Sequence, residues 1–175
     1  MSAYTAWTAL LDSRPGWENL MRVGFSGHQQ MPQEALNFAS DVINEYLVEH
    51  EGATGICSLA AGSDQLFAKA VVDRGHQLHV VIPCENYEST FDRESLDMYR
   101  SLLVAASWTE VLDFDAPSEE AFFAAGKRVA DLSDELLAVW DGQSSRGLGG
   151  TADVVAYTRG LNKNVHVIWP DGLKR

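Results

Sequence analysis

Cysteine is scarce in this chain: Cys57 and Cys84 are the only two among 175 residues, they are not in CxxC spacing, and no histidines cluster with them. That pattern gives no support to a structural zinc site, and no metal or other cofactor is expected. Positive charge is also short, with 13 basic against 25 acidic residues and a formal net charge of −12. An acidic surface repels the nucleic-acid backbone and anionic lipid, so neither nucleic acid nor membrane is expected as a partner. No apolar run approaches membrane-spanning length, and the first residues lack a basic stretch followed by an apolar one. The expectation is a soluble, cytoplasmic protein. At 46% hydrophobic residues, the chain has enough apolar material for one substantial core without a second domain.

What the chain does have is an alternation of short apolar runs with longer amphipathic segments, the signature of an α/β protein with a parallel sheet. Strands are expected at 21–25, 54–59, 77–82 and 136–140, with a short one at 109–112 and a last one at 165–169. Between them lie predicted helices at 33–49, from Asp64 to about Arg74, at 94–106, at 116–133 and from Val154 to Gly160. Leu36, Ala39, Ile43, Tyr46 and Leu47 share one face of the first helix, and Phe122, Phe123, Val129 and Leu132 face inward on the fourth. Residues 84–93 read as an irregular loop. The first twenty residues stand apart as an N-terminal helical segment, with Tyr4–Leu11 before the Arg14-Pro15-Gly16 break, and residues 21–175 form the single domain. Trp7, Leu10 and Leu11 would cap the core or meet another copy of the chain.

The most informative stretch is Asp141-Gly142-Gln143-Ser144-Ser145-Arg146-Gly147-Leu148-Gly149-Gly150-Thr151-Ala152-Asp153. A glycine-rich turn from a buried strand into a helix presents backbone N–H groups at the positive end of a helix dipole, which is a site for an anion such as phosphate. Two more turns pass from strand to helix: Ser26-Gly27-His28, and Ser58-Leu59-Ala60-Ala61-Gly62-Ser63-Asp64. In an open parallel sheet such turns meet at the carboxyl ends of the strands, where ligands bind. The candidate ligand-binding residues are therefore Ser26, Gly27, His28, Ser58, Ala60, Gly62, Ser63, Asp64, Asp141, Gly142, Arg146, Gly147, Gly149, Gly150, Thr151 and Asp153. Thr151 is placed as a helix N-cap. Asp64 and Asp153 would accept hydrogen bonds from ribose hydroxyls or stabilise a positive sugar centre, and they are the candidate catalytic residues. Arg146 would meet the phosphate, and Lys127 and Arg128 are candidates to reach the same crevice.

Other readings of the same residues stay open. Asp64 and Asp153 also suit a plain helix-dipole role. Arg146 and His28 also suit solvent, and Lys127 and Arg128, adjacent on one helix, cannot both face one crevice. Cys57 reads as inert packing. Tyr87 and Phe91 would either stack on a base or pin the loop to the domain.

SGHQ from Ser26, CSLAAGSDQLFAKA from Cys57, VVIPCENYESTF from Val80 and AGKRVADLSDELLAVWDGQSSRGLGGTADVV from Ala125 together resemble the SLOG superfamily. That group includes the DNA-processing protein DprA/Smf and the Lonely Guy proteins, and the nearest likeness is to its small stand-alone bacterial members. The resemblance spans about residues 21–169. It implies a Rossmann-like three-layer α/β/α sandwich with a mostly parallel sheet, and a crevice for a nucleotide or nucleotide-derived ligand. Lonely Guy enzymes cleave the base from a nucleoside monophosphate with the glutamate of a GGxGTxxE pattern. Here Gly150-Thr151 supply the GT while Val154 stands at the glutamate position, and Asp153 precedes it. One residue along a helix rotates a side chain by about 100°, so Asp153 is not a direct replacement. The resemblance thus implies a sensor or binding protein, with nucleoside 5′-monophosphate N-glycosidase as the alternative. A protein-binding scaffold is a third reading. Homodimers are common in the family, without an interface signal in this sequence.

Overall fold

A computed structural model describes residues 20–145 and 147–175; the predicted N-terminal helix and Arg146 lie outside the described residues. The described chain runs β1 (Arg22–Gly27), α1 (Gln33–Glu49), β2 (Thr54–Cys57), α2 (Ser63–Asp73), β3 (Gln77–Ile82), a 3-10 turn (Tyr87–Thr90), α3 (Arg93–Ala105), β4 (Trp108–Val111), α4 (Glu119–Leu132), β5 (Glu135–Val139), α5 (Thr151–Gly160) and β6 (Asn164–Ile168). The six strands form one sheet in the order β4-β3-β2-β1-β5-β6, and every pairing is parallel. This is a Rossmann-like α/β fold. Among the described residues no helix is long and apolar enough to cross a membrane.

Side chains alternate across the strands, so the sheet feeds two cores. Val23, Phe25, Leu78, Val80, Leu137 and Val139 pack with Ile43 and Leu47 of α1, Phe67 and Val71 of α2 and Leu102 of α3. Ile56, Val81, Leu136 and Ala138 pack on the other face with Ala125 and Val129 of α4 and Val154 and Val155 of α5. The central strands read as continuous apolar runs because both faces are covered; β5 is buried at all five positions. Chain order explains the layering. β1 to β4 step outward in one direction with α1, α2 and α3 on one face, and the chain then returns across the other face through α4 to place β5 beside β1. Right-handed crossovers require that change of face.

The bounds of α1 and β3 match expectation, and most other ends move by one to three residues. Two differences bear on function. β1 extends through Ser26 and Gly27 because both continue the ladder with β5, opposite Ala138 and Val139. β2 stops at Cys57, leaving Ser58 and Leu59 in a turn in which Leu59 takes φ +56°. On α4, Arg128 does not reach toward the glycine turn. It is buried at the sheet edge, with its Nε 2.6 Å and its Nη2 3.1 Å from the carboxylate of Glu110 on β4. Lys127 lies over the Phe123 ring at 4.9 Å, and Phe123 is half-buried rather than inward. On α1, Ala35 takes the buried position of the first turn and Leu36 is half-buried.

Phe67 has no exposed surface and stacks on Phe25 at a centroid distance of 4.6 Å. Phe67→Ala is expected to cost about 3–5 kcal/mol through lost transfer energy and the cavity left behind. Urea denaturation measures it, and a loss below about 1 kcal/mol would show that this stack does not hold α2 to the sheet.

Candidate functional site

The strand order reverses between β1 and β5, and at such a point the turns leaving two neighbouring strands diverge to opposite faces and open a crevice. A cavity of about 370 Å³ lies there. Ser26, Gly27 and His28 come from the end of β1, and Ser58, Ala60, Ala61 and Asp64 from the β2–α2 turn. Gly149, Gly150, Thr151 and Val154 come from the start of α5, and Phe122, Ala125 and Gly126 from α4. Pro83, Tyr87, Thr90 and Phe91, which follow β3, complete the lining with Phe25 and Gln29. The aromatic side is already packed. Phe91 stacks on Tyr99 at 4.8 Å and meets Tyr87 edge-on at 5.0 Å, while Tyr87 sits 6.2 Å from Phe122. Tyr87 is 5% exposed and pins the segment, whereas Phe91 and Phe122 are half-buried and line the cavity.

The glycine-rich and small-residue turns make backbone nests, and the protein fills two of them itself. A left-handed residue between two ordinary ones turns successive N–H groups toward one point. Leu59 does this in the β2–α2 turn: the Ser58 and Ala60 N–H groups donate to Asp64 Oδ2 at 3.2 and 3.4 Å. Gly149, with φ +86°, does it before α5: the Gly149 and Gly150 N–H groups donate to Asp153 Oδ2 at 2.9 and 3.2 Å. A side chain at position 149 would be strained at that φ and would place its Cβ 2.8 Å from the Phe123 amide nitrogen, so glycine is required. Gly150, not Thr151, is the N-cap of α5, and Thr151 is its first helical residue. The Asp153 and Val154 N–H groups return to the Gly150 carbonyl, while those of Thr151 and Ala152 meet no acceptor among the described residues. They are the donors left for a ligand at the positive end of α5. The N-terminus of α2 is closed differently, with the Ser63 hydroxyl donating to the His28 carbonyl at 2.9 Å.

Asp64 and Asp141 show how surroundings separate two carboxyls. Burial pushes Asp64 up to about 7, against the lowering effect of the Ser58, Ala60 and Gly27 N–H groups. Burial would raise Asp141 too, but the Gln143 N–H, His28 and Arg175 outweigh it and hold Asp141 below the usual carboxylate range. His28 Nε2 lies 3.0 Å from Asp141 Oδ1, and Arg175 Nε lies 3.2 Å from Oδ2. This cluster joins the crevice, lined by His28, to a second cavity of about 440 Å³ lined by Asp141, Gln143, Ser144, Leu173, Lys174 and Arg175.

Of the residues singled out from sequence, Ser26, Gly27, His28, Ser58, Ala60, Asp64, Gly149, Gly150 and Thr151 line one crevice. Gly62, Ser63, Asp141, Gly142, Gly147 and Asp153 are not in its lining. Gly62 packs on the Gln29 carbonyl, Gly147 packs against Glu119, and Gly142 has open space beside it. The Asp153 carboxylate is turned onto its own turn. Sequence reasoning left Pro83, Thr90, Ala125 and Gly126 unmarked. They belong to segments without a glycine-rich signature: Pro83 and Thr90 follow β3, and Ala125 and Gly126 lie on α4, which crosses from β4 to β5.

No protein-family model and no curated protein matches this sequence. Solved structures do. DNA processing protein A from Streptococcus pneumoniae superposes with a TM-score of 0.68 at 16% identity, over 89% of this chain and 52% of that one. DNA processing protein A from Helicobacter pylori, described with a single-stranded DNA binding mode, gives 0.63 at 16% identity over 86% of this chain and 66% of that one. The molybdenum cofactor binding protein from the phototrophic bacterium Rippkaea orientalis gives 0.57 at 16% identity, over 85% and 76%. These likenesses show a shared Rossmann-like α/β fold. The chain spans less than two thirds of either DNA-processing protein.

Asp64 holds its proton up to about 7 in the folded chain, against 3.8 for an ordinary aspartate. Folding is then linked to proton uptake between those values, so this residue's contribution to stability falls as pH rises through that window and stays low above it. Asp64→Asn removes the cost, and thermal unfolding is expected to show the variant gaining more over wild type at pH 8 than at pH 5. A variant less stable than wild type at pH 8 would contradict the assigned environment.

Proposed function

We propose that this protein binds a small phosphorylated metabolite, a nucleotide or nucleotide-derived molecule, in the crevice between β1 and β5, and acts as a binding or sensing protein. The observation that carries the reading is the pairing of surfaces in one cavity: a prepacked aromatic wall of Phe91 and Phe122 facing the N-terminal turn of α5. A flat heteroaromatic ring stacks on the first, and an anion meets the second at the Thr151 N–H group, with that of Ala152 next to it; neither meets an acceptor among the described residues. The volume of about 370 Å³ is at the lower end of the roughly 300–1,000 Å³ typical of ligand sites, in keeping with a mononucleotide-sized ligand. The molybdenum cofactor binding protein with the same fold supports small-molecule binding. The single-stranded DNA binding of the Helicobacter pylori protein is not carried over, because a net charge of −12 opposes a polyanion. Residues 21–175 are taken as one domain built around this site.

Turnover is a second reading, and the placement of Asp64 in the crevice lining is what favours it. A glycosidase would need that carboxyl, since Asp153 is held by its own turn. Incubation with nucleoside 5′-monophosphates followed by chromatography for free base tests it, and base release abolished in Asp64→Asn would replace the binding reading.

Titration calorimetry with 5′-AMP, adenosine and inorganic phosphate tests binding directly. 5′-AMP is expected to bind more tightly than adenosine, and Phe91→Ala to weaken 5′-AMP by about tenfold or more, since stacking on an aromatic contributes about 1–3 kcal/mol. The same variant should leave phosphate binding unchanged. Equal affinities for 5′-AMP and adenosine, or no loss in Phe91→Ala, would overturn the assigned orientation.

A further inference from the structure

Asp64 follows β2 and Asp141 follows β5, one on each side of the end of β1; Asp64 is buried at 5% exposed, and Asp141 is partly buried with its side chain 5% exposed. Asp141 has an arginine and a histidine against it. Among the described residues the hydrogen-bond partners of Asp64 are backbone N–H groups, two of them on a single oxygen. Among the described residues no lysine or arginine lines the crevice into which Asp64 opens. A carboxyl buried without a counter-ion is neutral at a much higher pH than one with a counter-ion. A second negative charge brought into the same small cavity strengthens that preference. An ionised Asp64 would repel a phosphate, whereas a protonated one donates the short, strong O–H···O⁻ hydrogen bond that a phosphate oxygen accepts.

We propose that Asp64 selects an anionic ligand by entering the complex as a neutral carboxyl, its Oδ2 still held by the Ser58 and Ala60 amides and its proton donated to an anionic oxygen of the ligand. This rests on the nucleotide-binding reading above and adds to it a proton taken up on binding. Asp64 is then a binding and specificity residue, and the ligand class narrows to molecules that place an anionic oxygen, rather than a sugar hydroxyl, beside the β2–α2 turn.

The groups facing Asp64 do not offer a competing source of the same behaviour apart from His28. From β2 comes Cys57 and from the 3-10 turn Tyr87; both feel the Asp64 charge and both are pushed well up by burial, so they stay protonated. Cys84, after β3, is likewise raised by burial. On α2 itself Lys69 is exposed and paired with Asp73. The crevice residues of α4 and α5 are Phe122, Ala125, Gly126, Thr151 and Val154, which carry no ionisable group. His28 lines the crevice from the end of β1, in contact with Asp141 and Arg175. An Asp64 variant leaves the titration of His28 and of the ligand phosphate in place, so the difference between variant and wild type isolates Asp64.

The test is the pH dependence of 5′-AMP affinity by calorimetry, in wild type and Asp64→Asn, from pH 6 to 9. Asparagine keeps an oxygen for the Ser58 and Ala60 amides and an N–H₂ donor for the ligand, but has no proton to lose. Above the free value of about 7, wild-type affinity is expected to fall by about tenfold per pH unit beyond any fall seen in the variant, as one linked proton requires. Carbon NMR of the Asp64 carboxyl gives an independent readout that needs no variant: in the 5′-AMP complex at pH 8 it should keep the protonated shift that the free protein has lost. Matching pH slopes in the two proteins, or an ionised Asp64 in the complex at pH 8, would overturn the proton linkage while leaving nucleotide binding intact. No binding of 5′-AMP at any pH would instead remove the nucleotide reading, and this inference with it.

Discussion

Everything at the carboxyl end of this sheet depends on two carboxylates that satisfy the protein's own backbone. The turns after β2 and β5 need left-handed residues, Leu59 and Gly149, to swing the chain from strand to helix. That geometry points adjacent N–H groups at one spot in partly buried surroundings, where an unpaired donor costs about 1–3 kcal/mol. Asp64 and Asp153 remove the cost. They thereby decide what a ligand can touch: amides that would suit a phosphate in an otherwise similar turn are occupied, and the open donors move one position along, to Thr151 and Ala152 at the start of α5.

The rest of the fold holds these turns still. Strand order reverses beside β1, so the β1 and β5 turns open a gap, and two cores, one on each face, fix the helices that border it. Polar pairs anchor the periphery. Arg128 is locked to Glu110 at the β4 edge. At the opposite, amino-terminal end of the sheet Glu135 is shared by Tyr46 and His166. There burial would raise Glu135, but the Tyr46 hydroxyl and His166 outweigh it and hold the carboxyl low. Charge at these peripheral sites is paired, whereas Asp64 in the crevice is a carboxyl whose hydrogen-bond partners among the described residues are amides.

Periodicity and punctuation made the fold legible in the sequence. The stretch from Gln33 to Glu49 carries a clean helical face, and Gln77 to Ile82 is an apolar run stopped by Pro83. The three strand-to-helix turns could be read as converging because their order in a parallel sheet forces it. What could not be read was orientation within the turns. Asp153 sits where a ribose-facing or a self-capping carboxylate would sit, and the choice depends on the φ of Gly149, which composition does not reveal. Arg128 was equally ambiguous: adjacent to Lys127, its direction is set by Glu110, eighteen residues earlier on an edge strand. The aromatic wall was half legible, since Tyr87 and Phe91 stood out as aromatics in a polar loop, but Tyr99 behind them belongs to a helix whose packing partner is distant in sequence.

The central claim is that ligand enters beside the two filled nests without emptying them. Backbone amide NMR during titration with 5′-AMP reads this most directly. The account predicts the largest shifts at Thr151 and Ala152, with the Ser58, Ala60, Gly149 and Gly150 amide protons retaining the slow solvent exchange of bonded groups. Loss of that protection at Gly149 and Gly150 on binding, with the Asp153 carboxylate released, would contradict it.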